Sequence, residues 1–143
     1  MSNLNTSLPP EANEVRTWVL HSPDQLRTLR AGLSEEITGE PLAEVPERML
    51  LVATELATNA IRHGRPPTEV RLLRTEDQFV LDVLDRDPNT PPEPVDPSWE
   101  SAGGRGLQIA QSLSLDVGWY TTPHAKHVWA SFPVPATGPF DVD

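Results

Sequence analysis

The residues best placed to do chemistry lie in the stretch Glu55-Leu56-Ala57-Thr58-Asn59-Ala60-Ile61-Arg62-His63-Gly64. With the apolar Met49-Leu50-Leu51-Val52-Ala53 before it, this stretch reads as one helix from about Glu44 to His63. At roughly 100° per residue, Glu55, Asn59 and His63 follow one another down one side, about a turn apart. Beside them runs an apolar stripe of Met49, Val52, Ala53, Leu56 and Ala60. Leu50, Leu51 and Ile61 take other faces, so little of the helix is expected to meet water. A Glu and an Asn beside a buried stripe are costly unless backbone, solvent or a ligand meets them.

Two further signals lie downstream. Gly103-Gly104-Arg105-Gly106 opens a helix carrying Leu107, Ile109, Ala110 and Leu113. A glycine-rich turn there presents free N–H groups and the positive end of the helix dipole, which suits phosphate. No Gly-Lys-Ser/Thr follows, so it is not a Walker loop. It lacks the third glycine of a dinucleotide fingerprint and follows a long loop instead of a strand. Asp85 ends a predicted strand at the mouth of that loop, where a carboxylate could accept the exocyclic amine of adenine. Asp-Arg-Asp-Pro is equally ordinary turn chemistry.

The elements that must position these residues follow from the pattern. Val15 to Leu20 alternates as a first strand, with Val15, Thr17 and Val19 on one face. Ser22 and Pro23 start a helix as N-cap and first helical residue, with the stripe Leu26, Leu29, Leu33 and Ile37, and Gly39-Glu40-Pro41 stops it. After the central helix, Gly64 is expected as its C-cap. Thr68–Arg74 and Phe79–Asp85 form a hairpin around Thr75-Glu76-Asp77-Gln78. The segment from Arg86 to Ala102 is a long loop dense in proline and acid, the kind that serves as a lid or binding loop. Strands over Asp116–Thr121 and His127–Phe132 close the chain, and the tail from Pro133 reads as disordered. The order predicts an α+β two-layer sandwich: a mixed, largely antiparallel sheet with helices on one face. Residues 1–13 are expected to be a flexible arm, 14–134 the domain and 135–143 a disordered tail.

The chain's 143 residues suffice for one domain with a real core. Its 16 prolines cluster between elements, and no cysteine is present, which excludes thiolate chemistry and cysteine-held metals. The net charge of −10 argues against a nucleic-acid binder and suits a regulator that meets a basic or mixed-charge protein. No apolar run approaches a membrane span and the first residues are no signal peptide, so a cytoplasmic protein is expected.

In this order, helical Glu-x-x-x-Asn, strand-end Asp, long loop and Gly-x-Gly helix resemble the GHKL ATPase superfamily with its Bergerat nucleotide fold. Within it, the chain looks like the small bacterial anti-sigma-factor serine kinases, especially their compact actinobacterial relatives. The motifs are Glu55 to Gly64 (N box), Val83-Leu84-Asp85-Arg86-Asp87-Pro88 (first glycine-box position) and Gly103-Gly104-Arg105-Gly106-Leu107 (second glycine box), and the likeness spans about residues 14–134. The resemblance implies ATP and Mg²⁺ as cofactors, with Asn59 holding the metal and Glu55 as the base for an attacking serine hydroxyl. It implies that Asp85 takes the adenine amine. Gly103, Gly104, Gly106 and Leu107 would bring the lid backbone to the phosphates. Arg105 could offset charge there, and His63 could approach the nucleotide. It implies a protein serine/threonine kinase that binds a sigma factor and phosphorylates an antagonist protein of the STAS type, acting as a homodimer.

The chain departs from that pattern in two places. After Asp85 the superfamily usually shows Asp-x-Gly-x-Gly, whereas Arg86-Asp87-Pro88-Asn89 has no glycine, so the loop beside adenine must take another shape. In the last strand, where a threonine often supports the Asp, the sequence places His127 near that position. Two alternatives therefore stay open. One is a partner-sequestering regulator on the same fold with weak or no catalysis. The other is a metal hydrolase built from His21, His63, His124, His127 and acids, although no His pair shows helical ligand spacing.

Overall fold

A computed structural model of the chain describes residues 6–37, 44–90 and 106–134. Strand β1 (Asn13–Leu20) leads through a short 3-10 turn (Pro23–Gln25) into helix α1 (Leu26–Ile37) and then the long α2 (Glu44–His63). Strands β2 (Thr68–Arg74) and β3 (Gln78–Asp85) follow, then α3 (Gly106–Leu113), β4 (Asp116–Thr122) and β5 (Ala125–Pro133). The strands form one sheet in the order β1-β2-β3-β5-β4, and every pairing between them is antiparallel. The expected α+β architecture is therefore observed. Among the described residues the only parallel pairing is an isolated bridge between Thr6 and Trp119.

Helix α2 has the bounds its periodicity predicts. Met49, Val52, Ala53 and Leu56 are buried and pack with Leu29, Leu33 and Ile37 of α1 onto Val70, Leu72, Phe79, Leu81, Val83, Val128, Ala130 and Phe132 of the sheet. The helix lies against β2, β3 and β5 with α1 and α3 on either side. Its outer face is wetter than the sequence suggests, since Leu51 is 43% exposed.

The first strand turns toward the core the face opposite to the Val15/Thr17/Val19 row. Trp18 and Leu20 are buried, whereas Val15 and Val19 are exposed. The large indole carries more apolar area than either valine, so burying it decides the register. The indole lies across Gly32 of α1, where an added Cβ would meet Trp18 Cε2 and Cζ2 at 2.9 Å. At the start of α1, the Gln25 side chain accepts from the backbone N–H groups of His21 (2.6 Å) and Ser22 (3.3 Å).

Both ends of the domain are tied down further than the sequence indicated. In the segment expected to be a flexible arm, Ser7 N–H donates to Trp119 O (2.9 Å) and Ser7 O accepts from the Trp129 indole N–H (2.9 Å). A buried indole needs an acceptor, and this carbonyl supplies it. At the other end, β5 runs through Pro133, and buried Val134 donates its N–H to Asp77 O (2.9 Å). Order thus extends past Pro133. Residues 1–5 and 135–143, and the Gly39-Glu40-Pro41 stop, lie outside the described residues. No described helix is long and apolar enough to cross a membrane.

Candidate functional site

Glu55, Asn59 and His63 lie along α2 over about 12 Å, at a rise of about 1.5 Å per residue. Glu55 and Asn59 are half-buried and His63 is exposed. Neither the Glu55 carboxylate nor the Asn59 amide has a hydrogen-bond partner among the described residues. Of the ways to meet these polar groups, the protein's own described backbone is therefore not the one used. Burial pushes the Glu55 carboxyl above its usual value, because a partly desolvated carboxylate resists ionising.

The end of α2 meets the end of β3. Gly64 N–H donates to Ala60 O (2.8 Å), and a Cβ on Gly64 would collide with the Asp85 carboxyl group. The backbone of Gly64 is not in the left-handed region, so room for Asp85 explains this glycine better than the cap predicted from sequence. Asp85 is 2% exposed. Its Oδ1 accepts the Asp87 N–H (2.8 Å), and its Oδ2 lies 3.5 Å from Lys126 Nζ. Burial raises the Asp85 carboxyl above the ordinary range, against the opposing pull of the Asp87 N–H and the Lys126 charge.

The residues after Asp85 form a tight turn without glycine. Asn89 N–H donates to Asp87 Oδ1 (3.2 Å), Arg86 N–H to Arg65 O (2.9 Å), and Lys126 Nζ to Thr90 O (2.8 Å). Asp and Asn side chains make such turns by bonding the backbone two residues on, which replaces the conformational freedom of glycine. Lys126 was missed at the sequence level, where His127 was expected near this position. The β3–β5 register sets Asp85 opposite Lys126, while His127 sits one residue on and hence on the other face of the sheet.

On that far face His127 meets the second buried acid of β3. Its Nδ1 lies 3.1 Å from both oxygens of Asp82, and the ring stacks on Tyr120 at a centroid distance of 4.4 Å. Tyr120 Oη donates to Asp82 Oδ2 (3.4 Å), and Arg71 lies 3.5 Å from the same oxygen. Burial, then the Asp82 charge, pushes the Tyr120 phenol up to about 12. With His127 committed here, the histidines do not converge. No group of three or more His, Cys, Asp or Glu that could hold a metal occurs among the described residues, so the metal-hydrolase alternative gains no support.

Of the predicted site residues, the fold thus brings Glu55, Asn59 and His63 onto one helix and Asp85 to its end. Gly106 and Leu107 open α3, which packs on α2, whereas Gly103, Gly104 and Arg105 lie outside the described residues.

The fold is an α+β domain: an antiparallel sheet under a central helix whose end meets a buried carboxylate. The family model of the histidine kinase-like ATPase domain matches residues 19–132, and the chain belongs to that family. No curated protein matches the chain.

Proposed function

We propose that the protein is an ATP-binding regulator of the anti-sigma-factor kinase type. The observation that carries this is the pair Glu55 and Asn59, half-buried and unpartnered among the described residues, on a helix that ends against buried Asp85. These groups fit Mg²⁺-ATP: an amide oxygen is a hard ligand for Mg²⁺, and a carboxylate with accepting capacity suits an amine. Asn59 would hold the metal, Asp85 the base, and Gly103, Gly104, Arg105 and Gly106 the phosphates. His63 at the exposed end of α2 would border the nucleotide.

When bound, Mg²⁺-ATP supplies the phosphoryl group and the charge that holds it in line. Glu55 would take the proton from the hydroxyl of a serine or threonine brought by a partner. Its raised carboxyl makes it a stronger base once ionised. The partners would be a sigma factor and an antagonist of the STAS type, and the working unit a homodimer in the cytoplasm. The net charge of −10 favours partners with basic or mixed surfaces.

A second reading, a catalytically inactive protein-binding regulator, is favoured by one observation. The acceptor Asp85 is already approached by Lys126, and the turn after it folds on itself without glycine. Calorimetric titration of Mg²⁺-ATP into the wild type and Asn59→Ala separates the two. Binding in the wild type, lost in the variant, is expected. Absence of heat in both up to millimolar nucleotide would leave only the second reading. Glu55→Gln is expected to bind ATP and fail to phosphorylate the antagonist, and undiminished transfer by it would remove Glu55 as the base.

A further inference from the structure

Lys126 is buried beside Asp85 and has no assigned role in the nucleotide-binding scheme above. Its side chain is 7% exposed, and lysine is almost never buried to that degree without compensation. Here the compensation comes from Asp85 Oδ2 at 3.5 Å and Thr90 O at 2.8 Å. The first contact is a charge pairing too long for a good hydrogen bond, so Oδ2 keeps capacity to accept from another donor. The second ties the far end of the 86–90 turn to β5. No described non-glycine residue has a positive φ, so this turn owes its shape to side-chain bonds, of which the one from Lys126 spans farthest.

We propose that Lys126 is a positioning residue for base recognition, fixing the wall of the base pocket through Thr90 and balancing Asp85 so that the site selects a nucleobase with an exocyclic amine. The proposal rests on the reading that Asp85 meets the base of a bound nucleotide. The one charge that acts directly on Asp85 is that of Lys126 from β5; Asp87 and Arg65, from the adjoining turns, reach it through their backbone N–H groups, and the Arg65 charge acts on Asp87 instead. Lys126 is thus the cation nearest to the acid from across the sheet. Without it, the buried carboxyl would stay protonated to higher pH, and a protonated oxygen that donates cannot accept the amine.

The test compares ATP with purine riboside triphosphate, which lacks the 6-amino group, by titration with Mg²⁺ between pH 6 and 8.5. Wild type, Lys126→Met, Lys126→Gln and Lys126→Arg are used. The wild type should prefer ATP. Lys126→Met should lose about tenfold in ATP affinity, the worth of one hydrogen bond to a charged group, with a much smaller loss for the analogue. Its ATP affinity should fall as pH drops from a higher pH than in the wild type, and Lys126→Arg should restore the preference. If the methionine variant does not fold, Lys126→Gln carries the same comparison, since it removes the charge while keeping a donor. Equal weakening of both nucleotides, or an unchanged preference and pH profile, would overturn the role of Lys126 while leaving the site reading intact. A wild type that binds neither nucleotide would overturn both.

Discussion

Replacing Gly64 by alanine tests the junction between α2 and β3 with a single methyl group. That carbon would run into the Asp85 carboxyl and sit 2.8 Å from Ala60 O, which is backbone and cannot move alone. Asp85 has little room to retreat, because its Oδ1 holds the Asp87 N–H at 2.8 Å and its Oδ2 faces Lys126 at 3.5 Å. Overpacking of this kind costs about 1–3 kcal/mol. Alanine recovers about 0.4–1 kcal/mol by narrowing the unfolded ensemble. The net expectation is a loss of about 1–2 kcal/mol, or a fall of about 3–8 °C in Tm for a domain of this size. Thermal unfolding followed by circular dichroism measures it, and under the proposed function the same variant should also bind ATP more weakly, because the proposed base acceptor Asp85 is displaced. A Tm equal to or above the wild type would refute the reasoning, since that is what a glycine serving only to end a helix without a left-handed backbone would give.

Further outcomes follow from the same geometry. If Glu55 is the base of the proposed phosphoryl transfer, burial raising its carboxyl above the ordinary 4.5 predicts a rate that rises with pH along an acid limb above that value, which pH-rate profiles of the wild type would show. The chain has one tyrosine, so absorbance titration reads Tyr120 directly; its midpoint should lie near 12 and move toward 10 in Asp82→Asn. Since the native state holds that proton more tightly than the unfolded chain, stability should fall as pH rises from 10 toward 12, as denaturant titrations would reveal. His127→Leu leaves Asp82 buried without its closest partner and should cost about 2–4 kcal/mol, with the double variant Asp82→Leu/His127→Leu losing less than the single one. Leu56→Ala, at the fully packed centre of α2, should cost about 2–5 kcal/mol in chemical denaturation.

What the sequence discloses here is what short-range pattern encodes. The span of α2 and the two hairpins follow from apolar periodicity and turn residues, and Glu55, Asn59 and His63 share a side because helical spacing puts them there. What it conceals depends on parity and on contacts between distant segments. The pairing of Asp85 with Lys126 joins strands that are not consecutive, and an error of one residue moves His127 to the wrong face. Trp18 overrides the Val15/Thr17/Val19 alternation through contact with α1, which no local window includes. Gly64 is recognisable as special from sequence, but its reason, Asp85, lies across the fold.

The two buried acids of β3 show why one reads as a ligand group and the other as structure. Asp82 and Asp85 are three residues apart, so the pleat sends them to opposite faces of the sheet. On the face away from the helices, Asp82 is met by His127 at both oxygens and by Tyr120 and Arg71 at Oδ2. The chain continues from Arg71 to Glu14 (3.5 Å) and on to Thr17, whose hydroxyl donates to Glu14, so this polar ladder reaches from β4 to β1. On the helix face, Asp85 has the backbone N–H groups of Asp87 and Arg65 and a lysine held at 3.5 Å. A carboxylate offers about four acceptor sites. Asp82 spends its capacity on its own sheet. Asp85 keeps some in reserve at the end of a helix whose Glu55 and Asn59 have no hydrogen-bond partner among the described residues, and spare capacity at three points along one edge is what the proposed nucleotide would use.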